Sequence, residues 1–135
     1  ASGVLTLGFK NPSVVEGFYS GLSLDLAKAA VESSSNYFYG GSGTDSQRGI
    51  FNLLNDLNIQ VGNESLANKM DATIVDFSQL LNDLNSSLDA AVINEEAAVS
   101  ELYQSMSSYV VLAKTDMPTA LCISITYVDN PSDSD

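Results

Sequence analysis

Few side chains in this 135-residue chain are equipped for covalent chemistry. Histidine is absent, and Cys122 is the only cysteine. Without imidazole, histidine-based catalytic triads, the common zinc sites and histidine-ligated haem are excluded. Within TALCISITYV, residues 119–128, Cys122 alternates with Leu121 and Ile123, which reads as a small buried hydrophobe. The sharper reading is an intermolecular disulfide joining two copies of a secreted protein. A reactive nucleophile is the weakest of the three, since no cationic side chain neighbours it in sequence to favour the thiolate.

The carboxylates offer no better start for catalysis. Glu95 and Glu96 are adjacent, and neighbours on a helix diverge by about 100 degrees, so they do not share a site. Asp56, Asn58 and Gln60 alternate as calcium ligands do. An EF-hand loop beginning at Asp56 requires glycine at its sixth position and glutamate at its twelfth, and these are Val61 and Ala67. Asp129, Asp133 and Asp135 could form only a loose surface site for an oxygen-seeking ion. GGSG at 40–43 lacks the lysine and the flanking strand of a phosphate loop, and neither G-x-S-x-G nor S-x-x-K occurs. The expectation is a non-enzymatic protein with no cofactor and no metal.

Asn63-Glu64-Ser65 and Asn85-Ser86-Ser87 fit the N-glycosylation pattern. Eleven asparagines among 26 serines and threonines give about two such triplets by chance, so their occurrence carries no weight. Both fall on predicted helices.

Seventeen acidic residues against five basic ones give a net charge of −12, and Lys10, Lys28, Arg48, Lys69 and Lys114 are scattered. Phosphate backbones are bound by grouped lysine and arginine, so nucleic acid and anionic membranes are poor partners. A mimic of DNA is compatible with the charge, but a solvated, self-repelling surface accounts for it more simply. The longest apolar run, residues 109–113, is far short of the roughly 18 residues a membrane span needs. The chain opens without methionine, which fits a processed protein, a secreted product or an expression remnant.

The elements that must position these residues read as helices. Residues 4–7 suggest a short strand. Asn11 as N-cap and Pro12 at the first helical position begin helix 1, which runs to about Ser34 with Val15, Phe18, Leu22, Leu26 and Ala29 as its apolar stripe. Gly17 and Gly21 lie four apart within it and are candidates for close helix–helix contact. A Gly- and Ser-rich loop follows, beside the aromatic triplet Tyr37, Phe38 and Tyr39. Three consecutive aromatics cannot share one face, so at least one lies near the surface, where a partner or ligand contact is the alternative to covering the core.

Thr44 with Gln47 fits a capping box for helix 2, lined by Ile50, Leu53, Leu54 and Leu57 and ended at Gly62. Asn63 and Glu64 open helix 3, whose apolar positions Leu66, Met70, Ile74, Phe77, Leu81, Leu84 and Leu88 are the clearest periodic signal. LLNDLN occurs at 53–58 and again at 80–85. Leucines at i, i+1 and i+4 make each copy one turn of amphipathic helix, and the unmatched flanks argue against a duplicated domain. Residues 63–117 contain neither glycine nor proline before Met117, so they form either one helix of about 75 Å or a hairpin. A break near residues 93–96 is preferred, with Asn94 capping a helix lined by Val99, Leu102, Met106, Tyr109 and Ala113. The β-branched segment after Pro118 reads as a strand.

These readings predict a mainly α fold, a bundle of about four helices with a small two-stranded β element formed by the N- and C-terminal segments. One domain spans residues 1–128, and an acidic flexible tail spans 129–135. The expected function is that of a structural or assembly protein, extracellular or on a particle surface, that self-associates through helix packing as an oligomer or filament. The competing expectation is a carrier of small hydrophobic molecules, with Phe18, Phe51, Met70, Phe77 and Met106 around a cavity.

Overall fold

The helix start at Asn11 is real but short-lived. The Asn11 side chain accepts the Ser13 amide at 3.3 Å, and Pro12 opens a 3-10 turn, Pro12–Val14. A second turn, Phe18–Ser20, comes next, flanked by Gly17 and Gly21 at φ +73° and +68°. Left-handed backbone cannot continue a right-handed helix, so the two glycines break the expected helix 1. The long helix, α1, therefore begins later, at Ser23–Tyr39, and ends where the amides of Gly40 and Gly41 both return to the Asn36 carbonyl.

The computed structural model describes residues 10–41 and 48–124. The predicted strand at 4–7, the Thr44–Gln47 capping box and the tail at 129–135 lie outside them. Within the described residues the chain is mainly helical, and its buried side chains form one continuous cluster.

Helix α2, Ile50–Asp56, is capped from within: the Asn52 side chain accepts the Gly49 amide at 3.3 Å. It ends at Asp56, before the predicted Gly62, with Asn58 at φ +50° and the Ile59 amide returning to the Leu54 carbonyl. Gly62 instead belongs to the tight turn of a two-stranded antiparallel hairpin, β1 (Gln60–Val61) with β2 (Glu64–Ser65), in the register Gln60 to Ser65 and Val61 to Glu64. Among the described residues this local hairpin is the β element, while the N-terminal segment expected to form it lies outside them. The Ser65 hydroxyl caps α3, Leu66–Asp83, by accepting the Asn68 amide.

The periodic signal of α3 is realised by Leu66, Met70, Ile74, Phe77 and Leu81, all buried; Leu84 continues it just past the helix end, and the last predicted position, Leu88, is partly buried and opens the next helix instead. This stripe places α3 at the centre, packed against α1, α2 and α5. The long breaker-free region is divided twice. Residues 84–87 link α3 to α4, Leu88–Asn94, and Glu95 (φ −126°, ψ 40°) separates α4 from α5, Glu96–Val111. The break near 93–96 lies where the sequence places it, whereas the earlier one carries no glycine or proline to announce it. Both breaks are tied together, since the Glu95 carboxylate accepts the Ser86 hydroxyl and the Asn85 amide. Lys10 reaches the same corner, donating to the Ile93 carbonyl at 3.1 Å and pairing with Glu96 at 2.8 Å.

After α5 the helix widens into a π-helical turn, Leu112–Asp116, before α6, Met117–Ala120. Pro118 has no N–H for the helix ladder, and its ring crowds the carbonyl four residues earlier, which a wider turn relieves. The predicted C-terminal strand is corrected as far as Ser124. Residues 117–120 are helical, and the Leu121 and Ile123 amides fold back onto the Met117 and Pro118 carbonyls.

Candidate interaction surface

Helix α1 is apolar on two sides. Its inner side carries Leu24, Ala27, Val31 and Phe38, which pack on the shared core. At about 100 degrees per residue, Leu22, Leu26, Ala29, Ala30, Ser33 and Tyr37 fall together on the opposite side, and all six are exposed. Leu22 is 50% exposed, Leu26 48%, Tyr37 76%, and Tyr19, just ahead of the helix, 94%. The charged residues of α1, Asp25, Lys28 and Glu32, sit along one flank between the two faces. Even the serines add little polarity, because the Ser33 and Ser34 hydroxyls donate to the Ala29 and Ala30 carbonyls at 2.8 and 2.9 Å.

This arrangement corrects the predicted stripe of helix 1. Of Val15, Phe18, Leu22, Leu26 and Ala29, only Val15 is buried. The shift arises from the glycines. With Gly17 and Gly21 in turns, α1 starts afresh at Ser23 and its helical phase is set by Val31 and Phe38. No helix runs through Gly17 and Gly21, so the helix–helix contact expected of them has no helix to form on. A side chain at Gly21 would meet nothing within 4 Å.

The aromatic triplet is divided among three environments. Phe38 is fully buried against Phe51, at 5.8 Å between ring centroids. Tyr39 is half-buried and donates to Asp71, and Tyr37 faces solvent. The triplet forms the last turn of α1, which runs past its predicted end near Ser34. Beside it an open groove of about 670 Å³ is lined by Tyr37, Arg48, Gly49, Ile50, Leu53 and Asp56 among others, with Arg48 paired to Asp56 at 2.9 Å.

Cys122 is exposed, in left-handed backbone (φ +55°) just past α6. The reading as a buried small hydrophobe is overturned, because the segment ends a helix and forms a turn instead of a strand. The two glycosylation patterns are also displaced from helices: Asn63 lies in the hairpin turn and Asn85 in the α3–α4 link, both exposed. Among the described residues no group of three or more acidic or cysteine side chains is arranged to hold a metal ion. Asp56 instead pairs with Arg48, and Asn58 accepts from Gln60 at 3.2 Å.

The residues expected to enclose a ligand do not meet around one space. Met70 and Phe77 are packed in the core, Phe51 stands at its edge beside Phe38, and Met106 faces solvent. In place of Met106 on the inner face of α5, Ser105 is buried and donates to Asp76 of α3. A second exposed apolar stripe, Tyr103, Met106 and Val110, runs along α5. It is shorter than the outer face of α1.

No described helix is long and apolar enough to cross a membrane. In comparisons with known proteins, no family model matches this chain, and neither a curated protein nor a solved structure matches it significantly.

Proposed function

We propose that the protein is a non-enzymatic structural or assembly component that associates with further copies of itself through a helix face. An extracellular or particle-surface setting belongs to the same proposal and rests on composition. The observation that carries the reading is the outer face of α1, which exposes Leu22, Leu26 and Tyr37 in a row. A helix apolar on both sides is ordinarily covered on both, and among the described residues only the inner side is packed against other elements. The carrier alternative has less support, since its lining residues are divided between core and solvent.

Light scattering after size exclusion, over a concentration series with and without reductant, tests the proposal. Assembly requires a mass above the 14.3 kDa of one chain that rises with concentration. A constant single-chain mass at every concentration would sink it. Loss of the larger species on reduction alone would move the contact to Cys122.

A further inference from the structure

We infer that two copies pair antiparallel through the outer faces of their α1 helices, about a two-fold axis passing between Ala29 and Ala30. The inference rests on the assembly reading and specifies its contact. A two-fold interface must be self-complementary, each residue meeting a counterpart that meets it in return. The outer face of α1 meets this condition about one point. With the axis between Ala29 and Ala30, Leu22 stands level with Tyr37 of the second copy and Leu26 with Ser33, so a large side chain faces a small one where the helices converge. The two Ala30 side chains then face each other across the axis. Alanines at the crossing allow the helices to approach to the short end of the usual 8–10 Å.

Area supports a second copy as the occupant. The exposed parts of Leu22, Leu26, Ala29, Ala30, Ser33 and Tyr37 offer roughly 500 Å² on each chain, and a two-fold axis uses this area twice, which reaches the ~1,000 Å² below which specific interfaces are rare. Charge sets the condition. Each chain carries −12, so copies approach most easily along a face whose centre has no charged side chain, and α1 has this from Leu22 to Tyr37. On the flank, Asp25 and Lys28 of one copy stand about level with Glu32 of the other, so the lysine offsets part of the approach of carboxylates. The net repulsion makes pairing stronger as salt screens it. A basic partner docked on the same face would instead be released by salt.

The test uses the full chain in a Cys122→Ser background, by sedimentation over a concentration series at low and high salt. Pairing predicts a dimer with a dissociation constant in the micromolar range that tightens with salt. Ala30→Glu leaves the fold intact by circular dichroism and weakens the dimer at least tenfold. Ala30→Cys gives a covalent dimer under mild oxidation, whereas Ser108→Cys, on the exposed side of α5, does not. A dimer indifferent to Ala30→Glu, or one cross-linked equally at both positions, overturns this contact while leaving self-assembly standing. A monomer at all concentrations removes the assembly reading and this inference with it.

Discussion

Tyr39 donates its phenolic hydrogen to the Asp71 carboxylate and so joins the last turn of α1 to α3. Its ring also completes a triangle with Phe38 and Phe51, at 5.1 and 5.9 Å between centroids. Burial foremost, then the hydrogen bond and the charge of Asp71, hold the Tyr39 phenol well above its ordinary titration range, and burial raises Tyr109 too.

The sign of the consequence comes from linkage. A phenol whose folded pKa is raised stabilises the fold fully below the unfolded value of about 10, and that contribution is lost as pH rises beyond it. Urea midpoints of the native protein are expected to hold steady between pH 7 and 9 and to fall steeply above about pH 10. Tyr39→Phe removes the donor to Asp71 and is expected to cost about 1–2 kcal/mol at pH 7 and to flatten the alkaline fall. An equally steep fall in the variant would show that Tyr39 is not its source.

The backbone of Gly49 lies directly against Phe38, Tyr39 and Gly40, where α2 sets out from the end of α1. Its φ of −90° and ψ of −173° are open to any residue, so the requirement for glycine here is one of space. Gly49→Ala is expected to cost about 3 kcal/mol, the upper end for overpacking. Gly21→Ala, with open space but left-handed backbone, should cost only about 1–2 kcal/mol. Thermal melts of the two variants side by side measure the difference, and equal losses would contradict the close approach.

How far the fold is legible depends on whether local pattern and tertiary packing agree. In α3 they agree: apolar residues recur on one face, and α3 lies in the middle of the bundle, so periodicity alone finds the core. In α1 they diverge. Its sequence offers apolar residues on two sides, and periodicity cannot tell which side the chain will cover. Only the glycine turns and the burial of Phe38 decide it, so periodicity alone selects the wrong stripe. The exposed face is visible in the sequence as a pattern but not as a surface. The C-terminal segment misleads for a related reason. Residues 121–124 have strand-like composition, but Pro118 begins a helical turn and the chain folds back onto it.

The corner at Glu95 gives a local test. One carboxylate accepts from both Ser86 and Asn85 and so ties the second break of the long region to the first. Glu95→Ala should cost about 1–2 kcal/mol and speed amide exchange at residues 85–87 above that in the α3 core. Glu95→Gln retains an accepting oxygen and should lose less than half as much. If exchange at 85–87 is unchanged in Glu95→Ala, the tie is not the source of order in the link.

The two LLNDLN copies offer a paired comparison. Each closes a helix in the same phase: Asp56 and Asp83 are the last residues of α2 and α3, with Leu57 and Leu84 as their C-caps. In each copy the second leucine, Leu54 or Leu81, is buried, while Leu53 at the start of the first copy is exposed. The copies then part, the first turning through left-handed Asn58 and the second leaving through extended Leu84, so the repetition extends to helix phase but not to the path by which the chain leaves the helix. Leu54→Ala and Leu81→Ala should each cost about 2–5 kcal/mol, the range for truncating a buried leucine. Leu53→Ala should cost less than about 1 kcal/mol, because its side chain already meets water. Urea denaturation of the three variants decides between a repeated packing solution and a repeated functional motif. If Leu53→Ala left stability unchanged but altered the solution mass, the first copy would have a role in assembly that the second, with its leucines turned inward, does not share.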